Sequence, residues 1–291
     1  MKSNIFEIKE PVKLLEFLFS AMPDKSRTTV KSYLTHRQVA VNHVVTTRFD
    51  QPLKPGDRIE ILPGKGRTAF RHPMLRIVYE DDHLIVIDKK YGLLSMATDK
   101  IVGKTAYHIL SEYVKTEDPR NRIFILHRLD RETSGLMMFA KSQEIQEKMQ
   151  ECWHESVPER KYYAIAEGLF DEPAGTLTHY LAENKAFKVY ATNPDDGKEA
   201  IMHYRVLKTN KEGYSLLEIR LDTGRKNQIR AQLEAFGHPI AGDKKYGAKS
   251  RPIDRVALHA GTITFVHPVS GETLSFESLL PYAFNSLFSK K

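Results

Sequence analysis

The sequence predicts an α+β protein with a small helix-and-strand domain over residues 1–62, a linker over 63–72 and a larger sheet domain over 73–291. Three observations predict it. Near the N-terminus, apolar residues recur at helical spacing and then give way to short strand-like runs. Residues 63–72, Pro-Gly-Lys-Gly-Arg-Thr-Ala-Phe-Arg-His, mix Pro, Gly and basic residues without apolar periodicity, the composition of a linker. Beyond them, apolar runs of strand length outnumber helical stripes.

In the first part, Leu14, Leu15, Leu18 and Phe19 form the stripe of an amphipathic helix over 11–20. Ser26 is placed to cap a second helix from about Arg27 to His36, with Val30 and Leu34 inward. Val39–Val41 and Val44–Val45 flank Asn42-His43 as a hairpin, and Leu53–Asp57 is a turn into a strand Arg58–Leu62. In the second part, strands Arg76–Tyr79 and Leu84–Asp88 are joined by the turn Glu80–His83. A helix over 104–114 turns Ala106, Ile109, Leu110 and Val114 inward. Ile123–Leu126 and Leu136–Ala140 read as buried strands, and Ser142 caps a helix whose Ile145, Met149 and Trp153 pack the core. Arg160–Gly168, His203–Leu207 and Leu217–Leu221 read as strands. A last helix buries Ile229, Leu233 and Phe236 and ends with Gly237 as its C′ residue.

Composition narrows the function classes. A chain of 291 residues with 41% apolar and 28% charged content has the makings of one sizeable core plus a small domain. The N-terminal ten residues lack the apolar segment of a secretory signal, and no apolar run reaches membrane-spanning length. The single cysteine, Cys152, excludes an internal disulfide and a multi-cysteine metal cluster and suits a reducing compartment, so a cytoplasmic protein is expected. The net charge of +7 is unevenly spread: residues 1–72 hold 13 Lys/Arg against 7 Asp/Glu, and the remainder is nearly balanced. A basic excess concentrated at one end points to a polyanion partner.

Between the runs Ile123–Leu126 and Leu136–Ala140 lies a charged turn, in which Asp130 is flanked by Arg128 and Arg131 and followed by Thr133, Ser134 and Gly135. Local pattern leaves two readings, a carboxylate that does chemistry beside a cleft or one that caps and pairs a turn. The fifteen residues His127–Lys141 resemble the HRLDxxTSGLxxxAK signature of the RluA-type pseudouridine synthases. Other stretches carry the same resemblance. Lys89–Leu93 is similar to the family's K-P-x-G-L turn, with Lys90 replacing proline in a way that should loosen it slightly. Arg160–Gly168 resembles the KxYxAxVxG strand, with Arg160 at the lysine position and Tyr162 at the motif tyrosine. Alternation puts Tyr162 and Tyr163 on opposite faces, so only one ring can line a pocket. Leu221–Arg230 resembles L-x-TGR-x-HQ-[IL]-R. It departs at Asn227, where histidine is usual; asparagine keeps hydrogen bonding without a titratable group, so no proton transfer is assigned there. Gly242–Gly247, Arg255–Ala260 and Phe265–Pro268 complete the pattern.

The N-terminal part, through Ser26-Arg27, Val39–Asn42 and Leu53–Ile59, resembles the S4 RNA-binding domain. That likeness implies Arg27, Lys31 and Arg37 as contacts to RNA phosphates, which add affinity rather than sequence readout. The larger resemblance implies a mixed, mostly antiparallel sheet with packed helices and a cleft. Its implied activity is conversion of a uridine in RNA, ribosomal ahead of transfer RNA, to pseudouridine. Asp130, Tyr162 and Arg230 would be catalytic, with Arg230 at the position of the arginine that pairs with the aspartate and Tyr162 stacking on the base or taking a proton. Arg128, Thr133, Gly135, Arg225 and Gln228 would meet the substrate. Whether Asp130 attacks C1′ or assists loss of uracil while a base removes a C2′ proton stays open.

Such an isomerisation needs no metal, redox carrier or nucleotide cofactor. No phosphate-cradling loop or GxSxG elbow is present in the sequence, and His259 and His267 read as structural. A monomer without membrane attachment is the default expectation. Two other readings compete: a base-excising glycosylase, which would release free base, and a non-catalytic RNA-binding or ribosome-assembly factor.

Overall fold

The computed structural model describes residues 4–23, 25, 27–35, 38–62, 70–97 and 104–289. The chain forms two compact units, Met1–Arg71 and His72–Lys291. Ser26, Arg37 and most of the expected linker, residues 63–69, lie outside the described residues.

The first unit contains β1 (Asn4–Glu7), β2 (Val12–Lys13), α1 (Leu14–Ala21), α2 (Arg27–Thr35), β3 (Val39–Val41), β4 (Val44–Val45), β5 (Pro52–Leu53) and β6 (Arg58–Ile61). Its sheet runs β1-β6-β3-β4, and β2 pairs with β5. Leu14, Leu18, Val30, Leu34, Val39 and Ile59 share one core, as the helical stripes require. Asn42 and His43 turn the β3–β4 hairpin with φ of 50° and 67°, the two left-handed positions of a tight hairpin turn. β1 and β2 escape the sequence reading because each is a short strand whose partner comes from much later in the chain.

The second unit opens with β7 (Leu75–Glu80), β8 (Leu84–Lys89), α3 (Ala106–Lys115), β9 (Phe124–Ile125), β10 (Ser134–Ala140), α4 (Gln143–Glu151) and α5 (Trp153–Ser156). It continues with β11 (Glu159–Glu167), β12 (Ala174–Glu183), β13 (Val189–Thr192), β14 (Lys198–Thr209), β15 (Tyr214–Leu221), α6 (Gln228–Ala235), a 3-10 turn Lys244–Tyr246, β16 (Leu258–Val266), β17 (Thr273–Glu277) and α7 (Tyr282–Leu287). One eleven-stranded sheet runs β13-β12-β14-β15-β11-β16-β10-β8-β7, with β9 on β10 and β17 on β16. Its ladders are antiparallel except where β10 meets β16 in parallel, through Ser134 opposite His259 and Gly135 opposite Ala260. The architecture is the α+β, mixed and mostly antiparallel one expected.

Every residue of β10 is buried, and Leu136 and Met138 pack with Leu84, Val86, Ile145, Met149 and Phe265. Gly135 is required by the parallel seam: its φ is +111°, and a Cβ would overlap the Ala260 carbonyl.

Four expectations are corrected. In the run Ile123–Leu126 only Phe124 and Ile125 pair, as a two-residue strand, because the chain then bends away into the charged loop. The helix capped by Ser142 ends at Glu151, so Trp153 begins a separate turn and stands half-buried beside His127, their ring centroids 5.6 Å apart. Phe236 follows the end of α6 and is 41% exposed, packing against the rings of Phe170, Tyr204 and His238. Lys90 does not loosen its turn: its N–H donates to the Met74 carbonyl at 2.9 Å, a bond that proline has no hydrogen to make.

Strands β12 and β13 went unread because Leu177, Leu181 and Val189, their buried apolar residues, are too sparse to set a period. The two histidines read as structural are bonded inside the protein: His259 Nδ1 lies 2.8 Å from Ser134 Oγ, and His267 has Asp81 Oδ2 at 2.8 Å from Nε2 while its Nδ1 accepts from the Ser270 and Val269 N–H groups at 3.0 and 3.3 Å.

Candidate active site

The loop from Leu126 to Thr133 joins β9 to β10, and buried polar side chains hold its backbone. Ser95 Oγ donates to the Leu129 carbonyl at 2.6 Å and accepts from the Leu129 N–H at 3.1 Å. Lys89, fully buried at the end of β8, points its Nζ at the carbonyls of Thr133 (2.6 Å), Leu93 (2.8 Å), Lys90 (3.2 Å) and Asp130 (3.3 Å). Burial pushes the Lys89 pKa down to about 7, with Arg255 adding to the shift and Asp130 and Glu132 opposing it. Arg255 donates to the Leu258 carbonyl at 2.7 Å and to Ser134 Oγ at 2.9 Å. The Gly92 N–H, in a turn where Gly92 adopts φ +85°, donates to the Arg131 carbonyl at 2.7 Å.

The side chain of Asp130 emerges from this braced loop and meets Arg230, in the first turn of α6. Arg230 is 8% exposed. Its Nη1 lies 3.2 Å from Asp130 Oδ2 and 3.1 Å from Asn227 Oδ1, while Nε and Nη2 clasp Asp243 at 2.6 and 2.9 Å. Its guanidinium also sits 4.6 Å from the ring centroid of Tyr246. Burial works against the charge on Arg230, but hydrogen bonds and charges from Asp243 and Asp130 outweigh it and raise the pKa above the ordinary arginine value. Asn227 precedes α6 with φ 49°, a left-handed position that asparagine tolerates.

Tyr162 forms the facing wall. A bulge between Lys161 and Tyr162 in the β11–β16 ladder re-aims the chain there. Tyr162 is 9% exposed and lines the slot together with Asp130, while Tyr163 points to the other face against Gly261. Burial raises the Tyr162 pKa, Arg160 opposes the rise and Asp130 adds to it. The slot encloses about 70 Å³ among Arg128, Asp130, Tyr162, Ile229, Arg230 and Leu258. It adjoins a larger cavity of about 490 Å³ that includes His127, Trp153, Arg160 and Lys226.

The family model described as RNA pseudouridylate synthase matches residues 83–235, which span the Asp130 loop, β11 and all of α6. The chain belongs to the RNA pseudouridylate synthase family. It is an enzyme that isomerises uridine in RNA.

Relatives of this synthase cover nearly its whole length. Uncharacterized RNA pseudouridine synthase YlyB of Bacillus subtilis is 32% identical over 94% of this chain and 92% of its own. Ribosomal large subunit pseudouridine synthase D of Haemophilus influenzae is 30% identical over 95% of this chain and 90% of its own. Among solved structures, human RNA Pseudouridylate Synthase Domain Containing 4 matches the fold with a TM-score of 0.59 at 24% identity, over 72% of this chain and 90% of that one.

The synthase brings most of the sequence-predicted residues to one place. Asp130, Tyr162, Arg230, Arg128, Thr133, Arg225 and Gln228 all line the slot. Gln228, however, has its amide spent inside the protein: its Oε1 accepts from Thr223 Oγ1 at 2.8 Å and the Arg225 N–H at 2.9 Å, and its Nε2 donates to the Ile201 carbonyl at 3.0 Å. It braces the loop before α6 rather than reaching outward. Gly135 lies in β10 outside the slot lining, and its place there follows from the close approach to Ala260, not from substrate contact. Asp243, Lys89, Ser95 and Arg255 were missed. The run Gly242–Gly247 was visible, but nothing local showed that its aspartate reaches Arg230. Among the described residues, no cluster of three or more His, Cys, Asp or Glu could hold a metal ion, and no helix is long and apolar enough to cross a membrane.

Proposed function

We propose that this synthase converts uridine to pseudouridine in ribosomal RNA, with Asp130 as its catalytic aspartate. The observation that carries the reading is the Asp130–Arg230–Asp243 chain: one carboxylate faces the slot while a second, almost fully buried, fixes the arginine between them. A carboxylate held at a defined angle beside a base-sized slot is what attack at, or assistance to, a sugar carbon needs. The C1′–N1 bond breaks, uracil turns within the slot, C1′–C5 forms, C5 loses a proton and N1 gains one, so no co-reactant is consumed. Attack by Asp130 at C1′ and elimination across C1′–C2′ both fit this balance.

Arg230 positions Asp130, and Tyr162 lies against the base. The raised phenol pKa favours a protonated, stacking ring over a proton acceptor. Arg128, exposed at the mouth, meets the flipped nucleotide's phosphate or fills the gap that flipping leaves. Thr133 and Arg225 shape the entrance.

Residues 1–62 act as an S4-like RNA-binding domain, 63–72 as the linker and 73–291 as the catalytic domain. Arg27 and Lys31, both exposed on α2, and Arg37 supply phosphate contacts. The name ribosomal large subunit pseudouridine synthase D, borne by relatives, supports ribosomal over transfer RNA, and a monomer working in the cytoplasm is the simplest setting.

Pseudouridine mapping of total RNA from cells lacking the protein, complemented with wild type or Asp130→Ala, tests the proposal. Loss of discrete ribosomal sites that only wild type restores is the expected result. Release of free uracil would instead mark a glycosylase, and no change at any site would favour a binding factor.

A further inference from the structure

The cavity beside the slot, on the Trp153 side of Asp130, is about 490 Å³ against about 70 Å³, more room than the target base alone fills. That size is within the range of sites that take whole small ligands. The two spaces share Arg128, Asp130, Tyr162 and Arg225 in their walls. Four cationic side chains line the larger one, Arg128, Arg160, Arg225 and Lys226, against one carboxylate, Asp130. Lys226 is paired with Glu183, and Arg225 Nε is bonded only to the neutral Glu199 carbonyl at 2.9 Å, so Arg128, Arg160 and Arg225 carry the positive field.

Arg160 is held as though for an anion. Its guanidinium lies 5.8 Å from the centroid of the Trp153 ring, and the backbone of Gly224 runs so close that a Cβ there would sit 2.9 Å from Nη1. Its Nε is buried without a hydrogen-bond partner. With Nε closed off from solvent, an oxygen of a ligand reaches Arg160 only at its terminal Nη1 and Nη2 atoms. Beside it, Trp153 and His127 form an aromatic wall. His127 accepts the Met138 N–H on Nε2 at 3.1 Å, and burial pushes its pKa down to about 3, so the wall is uncharged.

We propose that this cavity holds the nucleotide directly adjacent to the target uridine, its base against Trp153 and its phosphate on Arg160 and Arg128. The proposal rests on the synthase reading, since an RNA strand whose uridine enters the slot is what places a neighbour there. Stacking of this kind tolerates any base, so the cavity adds affinity without fixing the neighbouring letter.

Trp153 is the chain's single tryptophan, so tryptophan emission, excited selectively over the tyrosines, reports on this cavity. Titration of the full chain with hexauridylate is expected to quench it saturably, whereas uridine 5′-monophosphate, which brings no neighbouring base, leaves it nearly unchanged. Arg160→Met is expected to weaken hexauridylate binding about tenfold and to lower the slope of log affinity against log salt by about 0.7, the share of one single-strand phosphate contact. Arg160→Lys keeps the charge and should keep the slope, which separates phosphate binding from a folding defect. Hexauridylate binding seen by anisotropy of a labelled strand without quenching overturns the proposal. So does equal quenching by the monophosphate, an unaltered salt slope in Arg160→Met, or no binding. Pseudouridine formation on total RNA by the same wild-type preparation tells the failures apart: product with an unquenched Trp153 removes the neighbour site alone, and no product removes the synthase reading.

Discussion

The Nζ of Lys89 sits 2.6 Å from the carbonyl of Thr133 and 3.3 Å from that of Asp130. One buried ammonium thus gathers the backbone on which Asp130 is presented, and its protonation becomes part of the fold's stability. The pKa of about 7 in the folded protein lies below the ordinary lysine value of 10.5. Below pH 7 folded and unfolded chains both hold the proton, and no pH dependence arises. Between about 7 and 10.5 the unfolded chain holds more protons, so the free energy of unfolding rises with pH, at most about 1.4 kcal/mol per unit. Urea denaturation at pH 7 and pH 9 should therefore show wild type gaining about 2 kcal/mol relative to Lys89→Met, a variant without this titration. Parallel pH curves for the two proteins would refute the shift.

Replacing Arg230 by methionine strands Asp243, whose side chain is only 2% exposed, without a counter-charge. A loss of about 3–5 kcal/mol in stability is expected by denaturant melts. Arg230→Lys keeps the charge but cannot span both carboxylates. It should fold, with kcat reduced by about 100-fold or more and KM little altered, because positioning rather than binding is lost. Steady-state kinetics on an RNA substrate distinguishes the two effects.

Tyr162→Phe removes the hydroxyl and keeps the ring. If stacking is the role, the variant should stay within about tenfold of wild-type kcat, whereas Tyr162→Ala should lose far more. A drop of about 100-fold or more in Tyr162→Phe, with loss of a basic limb in the pH–rate profile, would restore the proton-acceptor role.

Gly135→Ala should be the most damaging single-methyl change in the chain's central seam. The added carbon meets the Ala260 backbone, which cannot swing aside as a side chain would, and φ of +111° is strained for any L residue. A loss above about 4 kcal/mol, or insoluble expression, is expected. Gly224→Ala meets only the flexible tip of Arg160 and should fold normally.

Lys90→Pro restores the residue usual in the related family yet should destabilise this protein by about 1 kcal/mol, because the Lys90 N–H bond to Met74 is lost. A raised melting temperature would show that ring rigidity matters more than the bond.

What could be read from the sequence was what local pattern encodes. The buried run Leu136–Ala140 of β10, the cap at Ser142 and the turn at Asn42-His43 follow from apolar runs and short polar side chains. Three of the slot's lining residues, Asp130, Tyr162 and Arg230, were legible because each sits in a contiguous motif. Their support was not. Lys89 binds carbonyls, which every residue has, and Asp243 reaches Arg230 from 13 positions away, so neither leaves a signature in residue type or spacing. Trp153 misled because helical spacing continues past Cys152 while the backbone does not.

The parallel contact between β10 and β16 bears on how the protein is made. It joins Ser134 to His259 across 125 residues, and the ladders that flank it, β8–β10 and β11–β16, also join distant segments, whereas β7–β8, β14–β15 and β16–β17 are hairpins. Pairings of such sequence separation close late, after the entropy of the intervening loop has been overcome. Arg230 and Tyr162 belong to the side of the seam that carries β16, and the Asp130 loop belongs to the other. A nascent or truncated chain lacking β16 therefore holds the aspartate and its arginine apart, and RNA that it encounters is left chemically untouched.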